Sequence, residues 1–265
     1  MKTFDKELDK IINDKLHGST DIFNQVYNYI VKNKFDPQYL LTATKKIKKD
    51  LPHFPVVINF VLEVEKVLKS GNKKALNEYL RNVKSGELKK YQVFFEKEKK
   101  VFARLNNVLI ISHSKTLINI FKLWRNYNPK LKVLVCESRP LNEGILMAKE
   151  LSKLKIKTEI ITEAMSGKIF KEIDVVIFGA DQILNNGNII NKTGSRMLAI
   201  LAKYHKVPVY IIASTEKLIK TKIIHAGKVE AKLYEAVNEK KIKIRNESFE
   251  EVESKLITKI LLIKS

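Results

Sequence analysis

The feature that most constrains this chain is the run Val175-Val176-Ile177-Phe178, four apolar residues that give way to Gly179-Ala180-Asp181. An unbroken apolar run, rather than an alternating one, is the pattern of a strand covered on both faces in a parallel sheet. A carboxylate, Asp181, then stands where the strand should end. Ligands of open α/β sheets bind beyond the carboxyl ends of the strands, so Asp181 is placed for chemistry. Asn185-Asn186-Gly187 reads as a turn able to take positive φ, between this strand and its helix. Asn191-Lys192-Thr193-Gly194 leads into an amphipathic helix over 195–205. A lysine beside the free N–H groups of a helix start makes a phosphate cradle there.

The same period continues on both sides of that stretch. Short apolar runs at 108–111, 132–136, 157–161 and 208–213 alternate with helical patterns over 115–125 and 143–154, and 166–170 is a short helical turn. Strands alternating with helices predict right-handed βαβ units and a doubly wound, Rossmann-like parallel sheet. The tail, with Phe249, Val252 and 256–262, supplies a last strand or an edge element.

Before residue 100 the period is helical. Leu8, Ile11 and Ile12 mark a first helix ending near Lys15, and His17-Gly18-Ser19 breaks it ahead of a second with Ile22, Val26, Tyr29 and Ile30. Tyr39, Leu40, Ala43 and Ile47 mark a third helix, and Val64, Val67 and Leu68 belong to a fourth that opens after Pro55. Ser70-Gly71-Asn72 closes the fourth, a fifth carries Leu76, Leu80 and Val83, and a sixth runs from Gly86 to about Ala103. The expectation is an α/β protein in two parts: a helical N-terminal bundle over 1–100 and the Rossmann-like domain over 101–265.

Composition narrows the function classes. No apolar run approaches a membrane span, and the start is not a signal peptide. A single cysteine, Cys136, fits a reducing compartment, so a cytoplasmic protein is expected. The net charge of +21 comes from short lysine runs spread along the chain, Lys240-Lys241 with Lys243 among them, without interleaved aromatics. That pattern is of solvated helix faces, while an acidic or RNA-containing partner stays compatible with it. There is no Walker sequence and no Gly-x-Gly-x-x-Gly, His and Cys spacing gives no metal site, and no cofactor is implied.

Polar residues gather at four strand ends: Ser112-His113-Ser114-Lys115, Glu137-Ser138-Arg139-Pro140, Asp181 with Asn191-Lys192, and Ser214-Thr215-Glu216-Lys217. Together they put lysines, an arginine and hydroxyls at one sheet edge, where a pocket is expected. The run 179–195, with Arg139-Pro140 and the Gly144 that follows, resembles a known family. It joins the regulatory subunits of eukaryotic translation initiation factor 2B with isomerases of methylthioribose 1-phosphate and ribose 1,5-bisphosphate. The resemblance implies a sugar-phosphate site made by Ser114, Lys115, Thr116, Arg139, Asn191, Lys192 and Lys217, with Asp181 as catalytic aspartate. It also assigns a family Arg-Gly-Ala segment to His17, Gly18 and Ser19, where only the glycine is kept.

One position departs from the isomerases, for Ser112 stands where they carry a catalytic cysteine. A thiol is tunable to neutral pH and a serine hydroxyl is not without an adjacent base. The leading expectation is therefore a relative of the alpha regulatory subunit that binds a sugar or nucleotide phosphate without isomerising it. The alternative is an active aldose–ketose isomerase of a pentose 1-phosphate. Ile189, Ile190, Met197, Leu198 and Leu201 cover more than one helix face, and family members pair through their C-terminal domains. A homodimer or a larger assembly is expected, with a translation factor as a further partner.

Overall fold

The structure is a computed structural model and describes residues 6–14, 17–219 and 245–264. Lys15, where the first helix was expected to end, and the Lys240, Lys241 and Lys243 run lie outside the described residues.

Helices come first: α1 (Lys6–Ile12), α2 (Ser19–Asn33), α3 (Pro37–Asp50), α4 (Pro55–Lys69) and α5 (Lys73–Phe102). Their starts follow local chemistry. Asp36 accepts from Tyr39 N ahead of Pro37 at the head of α3, and Asn72 accepts from Lys74 N and Ala75 N to begin α5. Ile22, Val26, Tyr29 and Ile30 lie on the buried stripe of α2, packed with Leu40, Ile47, Val57 and Val64 of the next two helices.

Helix α5 replaces the two helices expected on either side of Gly86. A glycine inside a helix costs about 1 kcal/mol relative to alanine. Anchors at both ends offset that cost: Leu76 and Leu80 enter the helical core, while Tyr91, Phe94, Phe95 and Phe102 enter the core beside the sheet.

The α/β part follows as β1 (Asn107–Ile111), α6 (Lys115–Tyr127), β2 (Lys132–Cys136), α7 (Glu143–Lys153), β3 (Lys157–Ile161), α8 (Ser166–Ile169) and β4 (Val175–Phe178). It continues with β5 (Gln182–Leu184), β6 (Ile189–Lys192), α9 (Ser195–Tyr204), β7 (Val209–Ser214), β8 (Leu218–Ile219), β9 (Phe249–Val252) and β10 (Lys259–Ile263). Six strands form one parallel sheet in the order β10-β7-β4-β1-β2-β3. The apolar run of β4 is fully buried because the sheet is covered on both faces. Val175 and Ile177 join the core with α6, and Val176 and Phe178 join the core with α9.

The stretch after Asp181 is not the simple strand–turn–helix expected. Strands β5 and β6 form an antiparallel hairpin, with Ile183 opposite Ile189 and Gly187 in the turn at φ +79°. The hairpin belongs to a second sheet, β8-β5-β6-β9, and the C-terminal segment reaches both sheets through β9 and β10. Three- and four-residue strands buried throughout carry no alternation from which to read them.

Candidate functional site

Strand order reverses direction between β1 and β4, where the chain leaves β1 towards β2 on one side and later resumes at β4 on the other. Connections on the two sides diverge there and leave a crevice. A cavity of about 220 Å³ occupies it, bounded by Ile111 to Lys115 after β1, Gly179 to Asp181 after β4, and the start of α2.

Its floor depends on two residues in left-handed backbone. Ser112 has φ +68° and Ser138 has φ +66°. The Ser112 N–H donates to Ser138 Oγ (2.7 Å), Ser138 Oγ donates to Cys136 O (3.0 Å), and the Ser138 N–H donates to Glu163 Oε1 (2.7 Å). These bonds tie the ends of β1 and β2 together.

Of the residues singled out from the sequence, His17, Gly18, Ser19, Ser112, Ser114, Lys115, Asp181, Asn191, Lys192 and Lys217 all line this cavity. Two do not. Thr116 is buried behind them, its hydroxyl 3.4 Å from that of Thr20, and Arg139 is exposed to solvent outside the cavity lining. The turn at Ser138 buries that side chain completely and leaves its neighbour Arg139 outside.

The cations differ in what they are free to do. Lys192 is buried in an ion pair with Glu143, the first residue of α7. Lys115 pairs with Glu150 Oε2 (3.1 Å). Lys217 is 4% exposed and has no carboxylate within ion-pair distance among the described residues. Burial pushes its pKa below the ordinary lysine range, against the pull of Asp181, Glu216 and Asp21.

The helix start expected to cradle phosphate is already filled. Glu250 of β9 accepts from both Gly194 N (2.7 Å) and Arg196 N (2.8 Å) at the head of α9. A carboxylate so placed satisfies two first-turn donors and the positive end of the helix. Two other helix starts face the cavity instead. Helix α6 begins at Lys115, capped by Ser114, whose Oγ accepts from Leu117 N (3.3 Å). Helix α2 begins at Ser19 with no side-chain cap on Gly18, and the buried Ser19 Oγ has no hydrogen-bond partner. The Thr20–Thr116 contact shows that these two starts meet.

Two histidines sit beside them. His113 is buried between carboxylates, with Nε2 3.0 Å from Glu150 Oε1 and Nδ1 3.3 Å from Asp21 Oδ2. The Glu150 contact is a hydrogen bond; the Asp21 contact has the distance but not the alignment of one. Burial lowers the His113 pKa, but Asp21 and Glu150 outweigh it and the net shift is upward. His17, expected as a phosphate ligand, holds Asp14 through Nδ1 (2.8 Å). Glu143 also shifts upward, because burial outweighs the pull of Lys192, and its Oε2 is buried without a partner. Cys136 is fully buried at the end of β2, and burial raises its thiol pKa far above the ordinary range. Among the described residues no cluster of His, Cys, Asp and Glu is placed to hold a metal ion.

Residues 40–262 match the model of the initiation factor 2 subunit family. The chain belongs to that family. Within it the similarities divide between two kinds of protein. The chain is 35% identical over 111 residues to a putative translation initiation factor eIF-2B subunit 2-like protein of Pyrococcus horikoshii, covering 41% of this chain and 40% of that one. It is 33% identical over 162 residues to a ribose 1,5-bisphosphate isomerase of Methanocaldococcus jannaschii, covering 59% and 53%. The matched stretches thus span about half or less of these curated relatives.

Among solved structures, the translation initiation factor eIF-2B of Pyrococcus horikoshii has a TM-score of 0.75 at 20% identity, over 97% of this chain and 93% of that one. The 5-methylthioribose 1-phosphate isomerase of the same organism has a TM-score of 0.77 at 18% identity, over 97% and 82%. At these identities the likeness shows the family's fold.

Sequence reasoning missed the carboxylates that answer this family member's site lysines and the start of α9. Glu143, Glu150 and Glu250 reach their partners across 35 to 56 residues, and nothing in local spacing pairs them.

Proposed function

We propose that this chain binds a phosphorylated sugar in the crevice between β1 and β4 and does not isomerise it, as a cytoplasmic relative of the regulatory subunits of initiation factor 2B. The phosphate is received by the starts of α2 and α6 and by Lys217. The positive ends of two helices, the unpartnered Ser19 Oγ and a lysine with no ion-pair partner among the described residues together suit an oxyanion. Asp181, Asn191 and Ser112 lie on the same cavity and supply polar partners for sugar hydroxyls.

The observation that carries the second half of this reading is Ser112. Aldose–ketose isomerisation moves protons through two positioned groups. Asp181 can be one, but residue 112 is a serine, and no histidine or carboxylate among the described residues hydrogen-bonds to its hydroxyl. Cys136 is no substitute, being buried in the core and shifted away from thiolate. One observation favours the isomerase reading: Glu143 is a buried carboxyl on the same cavity with a raised pKa. Against it, Lys192 holds one oxygen of Glu143. Incubation with methylthioribose 1-phosphate, followed by 31P and 1H NMR, separates the readings by ketose formation.

Assembly is part of the proposal. Of the five apolar residues noted in the sequence, Ile189, Ile190 and Leu198 are core residues, and Met197 is exposed. Met197 forms an exposed stripe with Ile200 and Tyr204 at i, i+3 and i+7 on α9. A relative from C. thermophilum is a tetrameric eIF2B-beta2-delta2 complex. We expect a homodimer through this stripe, with Ile200→Asp and Tyr204→Asp together giving a monomer in sedimentation equilibrium. A native chain that is monomeric at all concentrations contradicts it.

A further inference from the structure

Resting on the sugar-phosphate reading above, we infer that the site takes a ligand with one phosphate and discriminates against a bisphosphate, because two carboxylates of this chain occupy the second anion position.

The cavity has two regions that could hold an anion. At one, the starts of α2 and α6 meet beside the hydroxyl of Ser19, and Lys217 feels both Asp21 of α2 and Asp181. No carboxylate pairs with that lysine among the described residues. The other region lies around Lys192 and the start of α9, where the sequence alone suggests a phosphate cradle. There the ammonium of Lys192 is committed to Glu143, both side chains being 5% exposed or less. The helix N–H groups of Gly194 and Arg196 are committed to Glu250. Among the described residues, both features that would draw a second phosphate there, the Lys192 ammonium and the start of α9, are already answered by a carboxylate of the protein.

Charge arithmetic points the same way. Asp14, Asp21, Asp50 and Asp181 also line the cavity, and with Lys115 and Lys192 paired and Lys217 taken by the first phosphate, a second phosphate finds no further unpaired lysine among the described lining residues. An unpaired dianion in a largely enclosed site is strongly disfavoured. The hydroxyl-rich end of a pentose has the opposite preference, since carboxylates and the Asn191 side chain accept and donate hydrogen bonds to it. The ligand class that fits is a pentose monophosphate.

Isothermal titration of the native protein with ribose 5-phosphate, methylthioribose 1-phosphate and ribose 1,5-bisphosphate tests this. At least one monophosphate should bind, and the bisphosphate should bind at least tenfold more weakly. Glu143→Gln releases Lys192 and Glu250→Gln releases the start of α9, so each should narrow that gap by strengthening bisphosphate binding. Two separate variants guard against one failing to fold. Bisphosphate binding as tight as or tighter than monophosphate binding in the native protein overturns the inference while leaving the sugar-phosphate reading intact. A gap unchanged in both folded variants overturns the assignment to these carboxylates. No binding of any of the three overturns the underlying reading, and the inference with it.

Discussion

Replacing Lys217 with glutamine should weaken sugar-phosphate binding by about ten- to a hundredfold, the loss of one charge-assisted contact of roughly 1.5–3 kcal/mol. The size of the effect follows from burial. Lys217 is almost wholly enclosed and is the cavity lysine without an ion-pair partner among the described residues. The same variant should not lower the stability of the unliganded protein. Burial depresses the folded-state pKa of Lys217, so the charged lysine carries a folding penalty below that pKa. The penalty is relieved as pH rises through the depressed pKa towards the ordinary lysine value. Glutamine removes the penalty, and thermal melting at neutral pH should show an unchanged or higher Tm. Ligand affinity of the native protein should also fall with rising pH before an ordinary lysine titrates. A variant that binds as well as native protein would remove Lys217 from the site.

Gly144→Ala should destabilise the fold by at least about 3 kcal/mol. A Cβ built on Gly144 lies 1.8 Å from the carbonyl oxygen of Cys136 and 3.0 Å from the carbonyl carbon of Glu137. Those are backbone atoms at the end of β2, and they cannot rotate away as a side chain could. Gly144 N also donates to Glu137 O (3.2 Å), so the contact is part of how α7 is seated on the sheet. The clash would push α7 outward, carrying Glu143 away from Lys192 and loosening the Ser138 contacts that hold Ser112. Chemical denaturation should therefore show a large drop in midpoint, and loss of ligand binding should accompany it in any folded fraction. A midpoint within 1 kcal/mol of native would mean that the close approach is not required.

The architecture was readable where one residue's environment repeats along an element. Val175 to Phe178 form a central strand because they are apolar on both faces, and Asp181 follows at the carboxyl end of that strand for the same reason. Helix starts at Pro37, Pro55 and Lys73 follow from proline geometry and caps that act within a turn. Gly86 misled because a local cost of about 1 kcal/mol is outweighed by aromatic anchors further along α5. The hairpin of β5 and β6 was hidden by its brevity. The electrostatic character of the site was the least legible part, because it is decided by long-range pairing. Lys192 and the start of α9 form an anion cradle when read alone. Glu143 and Glu250, distant in sequence, fill it. Arg139 is the residue of its strand end that the resemblance puts in the site, yet a left-handed φ at Ser138 turns Ser138 into the interior and leaves Arg139 in solvent.

The central claim is that a ligand pocket persists here without isomerase chemistry. Its most direct measurement is 31P and 1H NMR of methylthioribose 1-phosphate incubated with native protein, alongside Asp181→Asn and Glu143→Gln. The account predicts ligand resonances perturbed by binding to the native protein, with no ketose formed beyond the rate of the two variants. Ketose accumulation by native protein that disappears in Asp181→Asn would contradict it and establish an isomerase that works without a thiol at position 112.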